Sequence, residues 1–345
     1  MKILIGLSGG LDSTYAAYLL KKGGHTVIGA SVIMHKYTDT TAAKKAAETI
    51  GISYIEIDKS SEFNSIVVTN FIDEYCNGRT PNPCVVCNRF IKFDALYEYA
   101  MENGFDAVST GHYSSIEKEN NRYFIKRADD TSKDQSYVLW RLSQEQLSML
   151  YLPLSGMKKS EIRDKARLLG FSAADAPESQ ENCFIPDNDY VSFIKNSTGK
   201  DFPSGNFLDR DGGILGPHKG LINYTVGQRK GLGISLGEPM FVASLNPIDN
   251  SVTLVRSGEE YFSSMIVDDL SFMKLPPNHN LKKMNATVKV RYSAKPINCE
   301  IIFAEDTIEV IFETPIRAVT PGQSAVFYQD NDLLFGGIII SAKLI

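Results

Sequence analysis

The residues best able to do chemistry stand near the start of the chain and in two short cysteine segments. Ser8-Gly9-Gly10-Leu11-Asp12-Ser13 follows the apolar run 2–7 and precedes residues 14–22, in which Ala16, Ala17, Leu19 and Leu20 fall on one helical face. A strand, a glycine turn and a helix start together build an anion site. Glycine lets the main chain approach a ligand, and the unpaired N–H groups of the helix start, reinforced by the helix dipole, favour negative charge. Ser8 and Ser13 add hydroxyl donors. Glycines alone would also fit an ordinary βα turn with a serine cap, and the string is neither G-x-x-x-x-G-K-[ST] nor G-x-G-x-x-G. Further along, Cys84-Val85-Val86-Cys87 lies in the proline-rich stretch that begins at Gly78. This C-x-x-C admits three chemistries. It could be half of a zinc site, although no second C-x-x-C or spaced Cys/His pair completes one. It could be a redox pair. Or it could join a distant cysteine, for which Cys183, 96 residues after Cys87, is the candidate. Cys76 and Cys299 lie in apolar-patterned elements and read as inert buried thiols.

These groups need a scaffold. Residues 26–34 and 53–58 read as strands, 41–51 as a helix closed by Gly51, 63–76 and 90–103 as helices, and 106–113 as a strand and turn. Strands and helices alternating at this length predict a parallel α/β sheet, with ligands at the carboxyl ends of its strands. The Ser8 loop and the Gly111-His112 turn then share one edge. A hairpin arm at 123–126 and helices at 139–150, 160–169 (capped by Ser160, closed by Gly170) and 187–195 extend this domain to residue 195. The pattern changes after that. Residues 199–237 hold ten glycines, and short alternating apolar runs continue to the end. The reading is a catalytic domain over 1–195, a small glycine-rich β domain over 196–262, and a β-barrel-like domain over 263–345. The 345 residues are 43% hydrophobic and 22% charged, with a net charge of -5. This is a soluble globular composition without a membrane span or leader, expected in the cytoplasm, and too acidic for a general DNA coater. A local basic stretch, with Lys282, Lys283, Lys289, Arg291 and Lys295 and no acid between 278 and 298, is compatible with RNA.

The strings carry a resemblance. Ser8 to Ser13 resembles the SGGxDS pyrophosphate loop of the ATP-pyrophosphatase (PP-loop) enzymes. Gly78-Arg79-Thr80-Pro81-Asn82-Pro83, Cys87-Asn88, Ile91-Lys92-Phe93, Thr110-Gly111-His112-Tyr113, Lys133-Asp134-Gln135-Ser136-Tyr137, Cys183-Phe184-Ile185, Tyr224-Thr225-Val226-Gly227-Gln228-Arg229 and Arg317-Ala318-Val319-Thr320-Pro321-Gly322-Gln323 resemble, in order, the bacterial tRNA-specific 2-thiouridylases (MnmA/TrmU). That resemblance implies a PP-loop, adenine nucleotide alpha hydrolase-like first domain. It also implies an ATP-dependent transferase that adenylates O2 of the tRNA wobble uridine and replaces it with persulfide sulfur. ATP and Mg2+ are implied as cofactors, and tRNA and a persulfide sulfur-donor protein as partners. Gly6, Leu7, Ser8, Gly9, Gly10, Leu11, Asp12, Ser13, Val32 and Gly111 match ATP positions. Cys183 matches the persulfide carrier and Cys87 its attacking partner. Asn82, Pro83 and Cys84 match the segment near the target base, and His112, Lys133, Asp134, Gln135, Arg291, Tyr292 and Gln323 match tRNA contacts. Two features depart from the pattern. The segment 33–42 is short on the adenine side. Position 84 is cysteine where well-known members carry aspartate, so Cys84, Cys87 and Cys183 could hold an iron–sulfur cluster. A PP-loop amide-forming ligase and a noncatalytic RNA-binding paralogue are the alternative readings. The ligase would not need the Cys87/Cys183 pair, and the intact loop and cysteines count against the paralogue.

Overall fold

The computed structural model describes residues 1–175 and 182–345. Ser179, Gln180 and Glu181, just before Cys183, lie outside the described residues. In the first domain β1 (Lys2–Gly6), β2 (Thr26–Ile33), β3 (Ser53–Asp58), β4 (Ala107–Ser109) and the short β7 (Leu150–Tyr151) form one parallel sheet in the order β3-β2-β1-β4-β7. The chain leaves β1 toward β2 on one side and returns to β4 on the other. The carboxyl end of β1 is therefore the switch point at which α/β sheets open a crevice. Ile3, Leu4 and Ile5 are completely buried, as a central parallel strand requires.

Helix α1 (Leu11–Lys22) packs on this sheet through Ala16, Ala17 and Leu20, and α2 (Thr41–Ile50) through Ala43, Ala46, Ala47 and Ile50. Gly51 closes α2 with φ +73°, as expected of a left-handed glycine cap. α3 (Ser60–Phe63) runs through a π turn (Asn64–Val68) into α4 (Thr69–Cys76). In the same way α5 (Pro83–Cys87) runs through a second π turn (Asn88–Lys92) into α6 (Phe93–Glu102).

Three helix expectations need correction. Residues 139–150 are not one helix. A 3-10 turn (Ser136–Leu139) is followed by α7 (Gln144–Met149), because Ser143 and Gln146 form a capping box that starts a new helix. Leu150 then pairs with Val108 as β7. Ser160 is not a cap: α8 (Lys159–Leu168) begins one residue before it, with Lys158 at the cap position, though Gly170 does close the helix with φ +73°. The last helix, α9 (Tyr190–Thr198), starts three residues later than expected, where the Asp189 carboxylate accepts from Ser192 N.

The second half is β structure, as expected. Strands β8 (Gly205–Leu208), β9 (Ile214–His218), β10 (Met240–Asn246) and β11 (Ser251–Arg256) form a sheet in the order β10-β11-β8-β9. Strands β12 (Tyr261–Phe272), β13 (Lys283–Lys289), β14 (Ile297–Phe303), β15 (Ile308–Arg317), β16 (Ser324–Gln329) and β17 (Asp332–Leu344) close into a barrel through the β12–β17 pairing.

The hairpin arm is real but belongs to two domains at once. It consists of β5 (Ser114–Glu119) and β6 (Arg122–Arg127), and β6 pairs with β17 at Lys126 and Asp332. Arg122 donates to the Phe272 and Met273 carbonyls of the barrel. Trp140, Tyr137 and Phe124 share one buried cluster with Val326, Tyr328 and Leu333. Gly336 makes room for Trp140, since a Cβ there would stand 2.5 Å from the indole ring.

Candidate active site

A cleft of about 340 Å³ opens at the switch point. Its walls include Gly6, Leu7, Ser8, Asp12 and Ser13, Val32 from β2, and Gly111 after β4. The loop is organised before any ligand arrives. Ser8 Oγ accepts from Gly10 N at 3.3 Å and lies 3.1 Å from Ser13 Oγ, and Ser13 Oγ accepts from Ser8 N at 3.2 Å. The N–H groups of α1's first turn remain as unpaired donors. Gly9 and Gly10 complete the turn, while the Leu11 side chain is buried in the core, so only its main chain can serve a ligand.

Glycine is required at two points. At Gly9 a Cβ would meet Ala42 and Ala43 at 2.5–2.6 Å, and at Gly111 it would meet Ser13 N at 2.6 Å. The turn after β4 thus lies directly on the start of α1. Asp12 receives the Tyr113 hydroxyl at 2.6 Å and the Lys159 ammonium at 3.0 Å. The short segment after β2 still builds a wall: the Thr38 hydroxyl accepts from Met34 N and His35 N, and Thr38, Asp39 and Thr40 line the cleft.

The thiols lie beside this cleft. Cys87 is buried at the end of α5 with its Sγ 3.4 Å from Met34 Sδ, and Met34 also lines the cleft. Phe184 packs on Phe63, Phe71 and Phe193, and shares a core with Val86, Cys87 and Ile91. This aromatic nest anchors the chain at Cys183 against the helix that carries Cys84 and Cys87. Cys84 and Cys183 are exposed. Burial pushes the Cys87 thiol up to about 11 despite the opposing charge of Lys92, with Cys183 and Cys84 adding to the rise. Although Cys183 is exposed as a residue, desolvation of its thiol by the surrounding chain raises it, again opposed by Lys92.

Among the described residues no group of three His, Cys, Asp or Glu side chains could hold a metal ion. Cys299 is buried as expected, whereas Cys76 is only partly buried.

The positions expected to touch RNA divide into groups. His112 and Gln135 line the cleft. Burial, and then Lys92, drive His112 down to about 3, so its imidazole is neutral at ordinary pH. Asn82, Pro83 and Gln323 belong to the seam between the cysteine loop and the barrel, where Gln323 Nε2 donates to Thr80 O at 2.8 Å and Pro81 O at 3.1 Å. Lys133 is partly exposed, and Tyr292 is exposed beside the Tyr137 ring.

Two side chains are engaged elsewhere, contrary to expectation. Asp134 is buried and accepts from Ala128 N, Ser136 N and Ser136 Oγ, so it fixes its own turn. Arg291 donates to Val226 O at 3.0 Å and to Thr320 Oγ1, tying the barrel to the middle β unit. The basic stretch also splits. Lys289 is buried between the Tyr137 and Tyr292 rings, while Lys282, Lys283 and Lys295 are exposed.

Two cations of the site carry no assigned role in the sequence reading. Lys159 has no local signature. Lys92 had one: it is a lone cation between Ile91 and Phe93, both of which are buried.

Residues 1–187 match the family model described as tRNA methyl transferase HUP domain, residues 191–256 the tRNA methyl transferase PRC-barrel domain, and residues 262–340 the Aminomethyltransferase beta-barrel domain. The chain is 43% identical to the tRNA-specific 2-thiouridylase MnmA 2 of Clostridium tetani, over 98% of each chain. It is 41% identical to the tRNA-specific 2-thiouridylase MnmA of Clostridioides difficile, over 99% of each. A third relative, the protein of the same name from Acetivibrio thermocellus, is 42% identical over 98% of this chain and 99% of its own.

Proposed function

This chain belongs to the tRNA-specific 2-thiouridylase family, and we propose on that premise that it replaces O2 of the tRNA wobble uridine with sulfur in an ATP-driven transfer. The observation that carries the reading is the adjacency of two chemistries. A phosphate-type cleft and a group of thiols share one wall, and the turn Asn88–Lys92 runs from Cys87 into the cleft.

The oxygen of uracil is a poor leaving group, so it must first be activated. Gly9, Gly10 and the start of α1 would hold the ATP phosphates through main-chain N–H groups and the helix dipole. Magnesium takes one or two carboxylates plus phosphate oxygens, which suits Asp12 and Asp39, and when bound it neutralises charge on the departing pyrophosphate. Uracil O2 attacks the α-phosphate, AMP is joined to O2, and pyrophosphate leaves. Such a base must first leave the anticodon stack to reach the cleft.

Cys183, exposed to a donor, carries the incoming sulfur as a persulfide. The Cys87 thiolate attacks the Cys183 sulfur, which forms a Cys87–Cys183 disulfide and releases HS⁻. HS⁻ adds to C2, and AMP departs with the bond to O2. An external thiol reductant then returns two electrons to the pair. The test is unmodified tRNA incubated with enzyme, ATP and a persulfide donor, followed by nucleoside mass analysis. Formation of 2-thiouridine with AMP and pyrophosphate is expected. ADP and phosphate as products, or turnover with ammonia in place of the sulfur donor, would refute the reading.

A further inference from the structure

Lys92 is a charged side chain that bears on both chemistries of the site. It ends the π turn that follows Cys87 and lines the cleft together with Ser8, Asp12, Gly111 and His112. Single-turn π segments inside helices shift the side chains that follow them and gather at functional sites. Here the shift falls between Cys87 and Lys92. Among the described residues no carboxylate forms an ion pair with the Lys92 ammonium, although Lys59, Lys126, Lys159 and Lys274 each have one. A half-buried cation without an anion is costly, because burial disfavours the charged form.

We infer that Lys92 supplies the positive charge for the sulfur-transfer half of the reaction, holding anionic sulfur at Cys183 and Cys87 beside the adenylated base. This rests on the thiolation reading for the identity of the reaction. The charge itself is a property of the free enzyme. The thiols of Cys84, Cys87 and Cys183 and the imidazoles of His35 and His112 face Lys92, while Asp12, which is paired with Lys159, and Asp39 line the same cleft. Burial alone would lower the ammonium; the three thiols outweigh it and raise it instead. Burial, and then the same ammonium, lower both imidazoles and so disfavour their cationic forms. Among the described residues the buried His35 ring nitrogens have no hydrogen-bond partner, and the ring packs on Phe63, which in turn packs on Phe184. Lys92 is therefore left as the cation of this corner. A charge that must meet a sulfur anion during turnover, and a phosphate oxygen of the adenylate next to it, would be compromised by a resident carboxylate.

The test is the rate at which iodoacetamide alkylates Cys183 as a function of pH in the free enzyme, read for each cysteine by peptide mass spectrometry. Lys92→Met and Lys92→Gln should slow Cys183 alkylation about three- to tenfold near neutral pH and move the profile to higher pH, while Lys92→Arg keeps it near the wild-type curve. An unmoved profile in either folded charge-free variant would overturn the inference. Collapse of both variants would do the same, by assigning Lys92 to stability. The assay uses neither tRNA nor ATP, so its outcome is separate from whether the enzyme thiolates uridine.

Discussion

Cys87 is poorly prepared as a nucleophile at rest. With its thiol pushed up to about 11 by burial, little of it is thiolate at neutral pH. Each unit of pH below that value removes about nine-tenths of the reactive form. The single-turnover thiolation rate should therefore climb through the neutral range, and a rate already level there would mean that Cys87 is not the limiting thiol. Cys183→Ser should abolish thiolation while AMP and pyrophosphate are still released, since adenylation needs no sulfur. Cys84→Ser should keep substantial thiolation, because Cys84 is exposed and the proposed transfer uses only Cys183 and Cys87. Iron-dependent activity lost with Cys84 would contradict that. His112 gives a stability prediction. Its folded value lies near 3 against 6.5 for the free side chain, mainly through burial. The unfolded chain binds the extra proton between these values, so stability is complete above about pH 6.5 and declines as pH falls toward 3. In His112→Gln the melting temperature should fall less steeply across that window.

At the scale of elements, two turns hold the site together. Gly111 lets the β4 turn rest on α1, so Gly111→Ala should disturb the phosphate loop and weaken ATP binding at least tenfold by calorimetric titration, roughly 1.4 kcal/mol or more. Gly322 has φ +90°, and a Cβ there would stand 2.9 Å from both Thr80 N and Thr80 O. Gly322→Ala should cost about 1–3 kcal/mol in thermal unfolding and loosen the cysteine loop. The first of these elements is legible in the sequence because it is local: Ser8 to Ser13, the Ala-rich faces of α1 and α2 and the cap at Gly51 are each set by neighbouring residues. What is not legible depends on distant partners. Ser143 restarts a helix that periodicity alone would have continued. Lys158 replaces Ser160 as a cap, which presents Lys159 to Asp12. Lys289 and Asp134 look like surface charges until the first domain and the barrel close on each other. Spacing offers Cys183 only as one candidate partner for Cys87, and resemblance alone assigns their roles, because the aromatic nest beside them is assembled from four separate segments.

The molecule as a whole is more unified than its three sequence matches suggest. Trp140 from the first domain lies in the same buried cluster as Val326 and Leu333 from the barrel, and the Tyr137 hydroxyl donates to Ser324 O at 2.9 Å. Trp140→Ala should cost about 3–5 kcal/mol. Its loss should also split one calorimetric unfolding transition into two, as the barrel and the nucleotide domain lose their common core. A wild-type protein that already melts in separate steps would show the seam to be weak.

The barrel holds the cysteine loop by its main chain: Pro321 O accepts from Thr80 N at 2.8 Å, and Gln323 donates to the Thr80 and Pro81 carbonyls. Such a grip imposes reciprocity. Whatever free energy RNA on the barrel applies to that loop, the sulfur state of the loop's neighbour Cys183 must return to RNA affinity in equal measure. The enzyme should then bind unmodified tRNA with different affinities before and after Cys183 is loaded, and the ratio of those affinities should equal the ratio by which tRNA shifts the loading equilibrium.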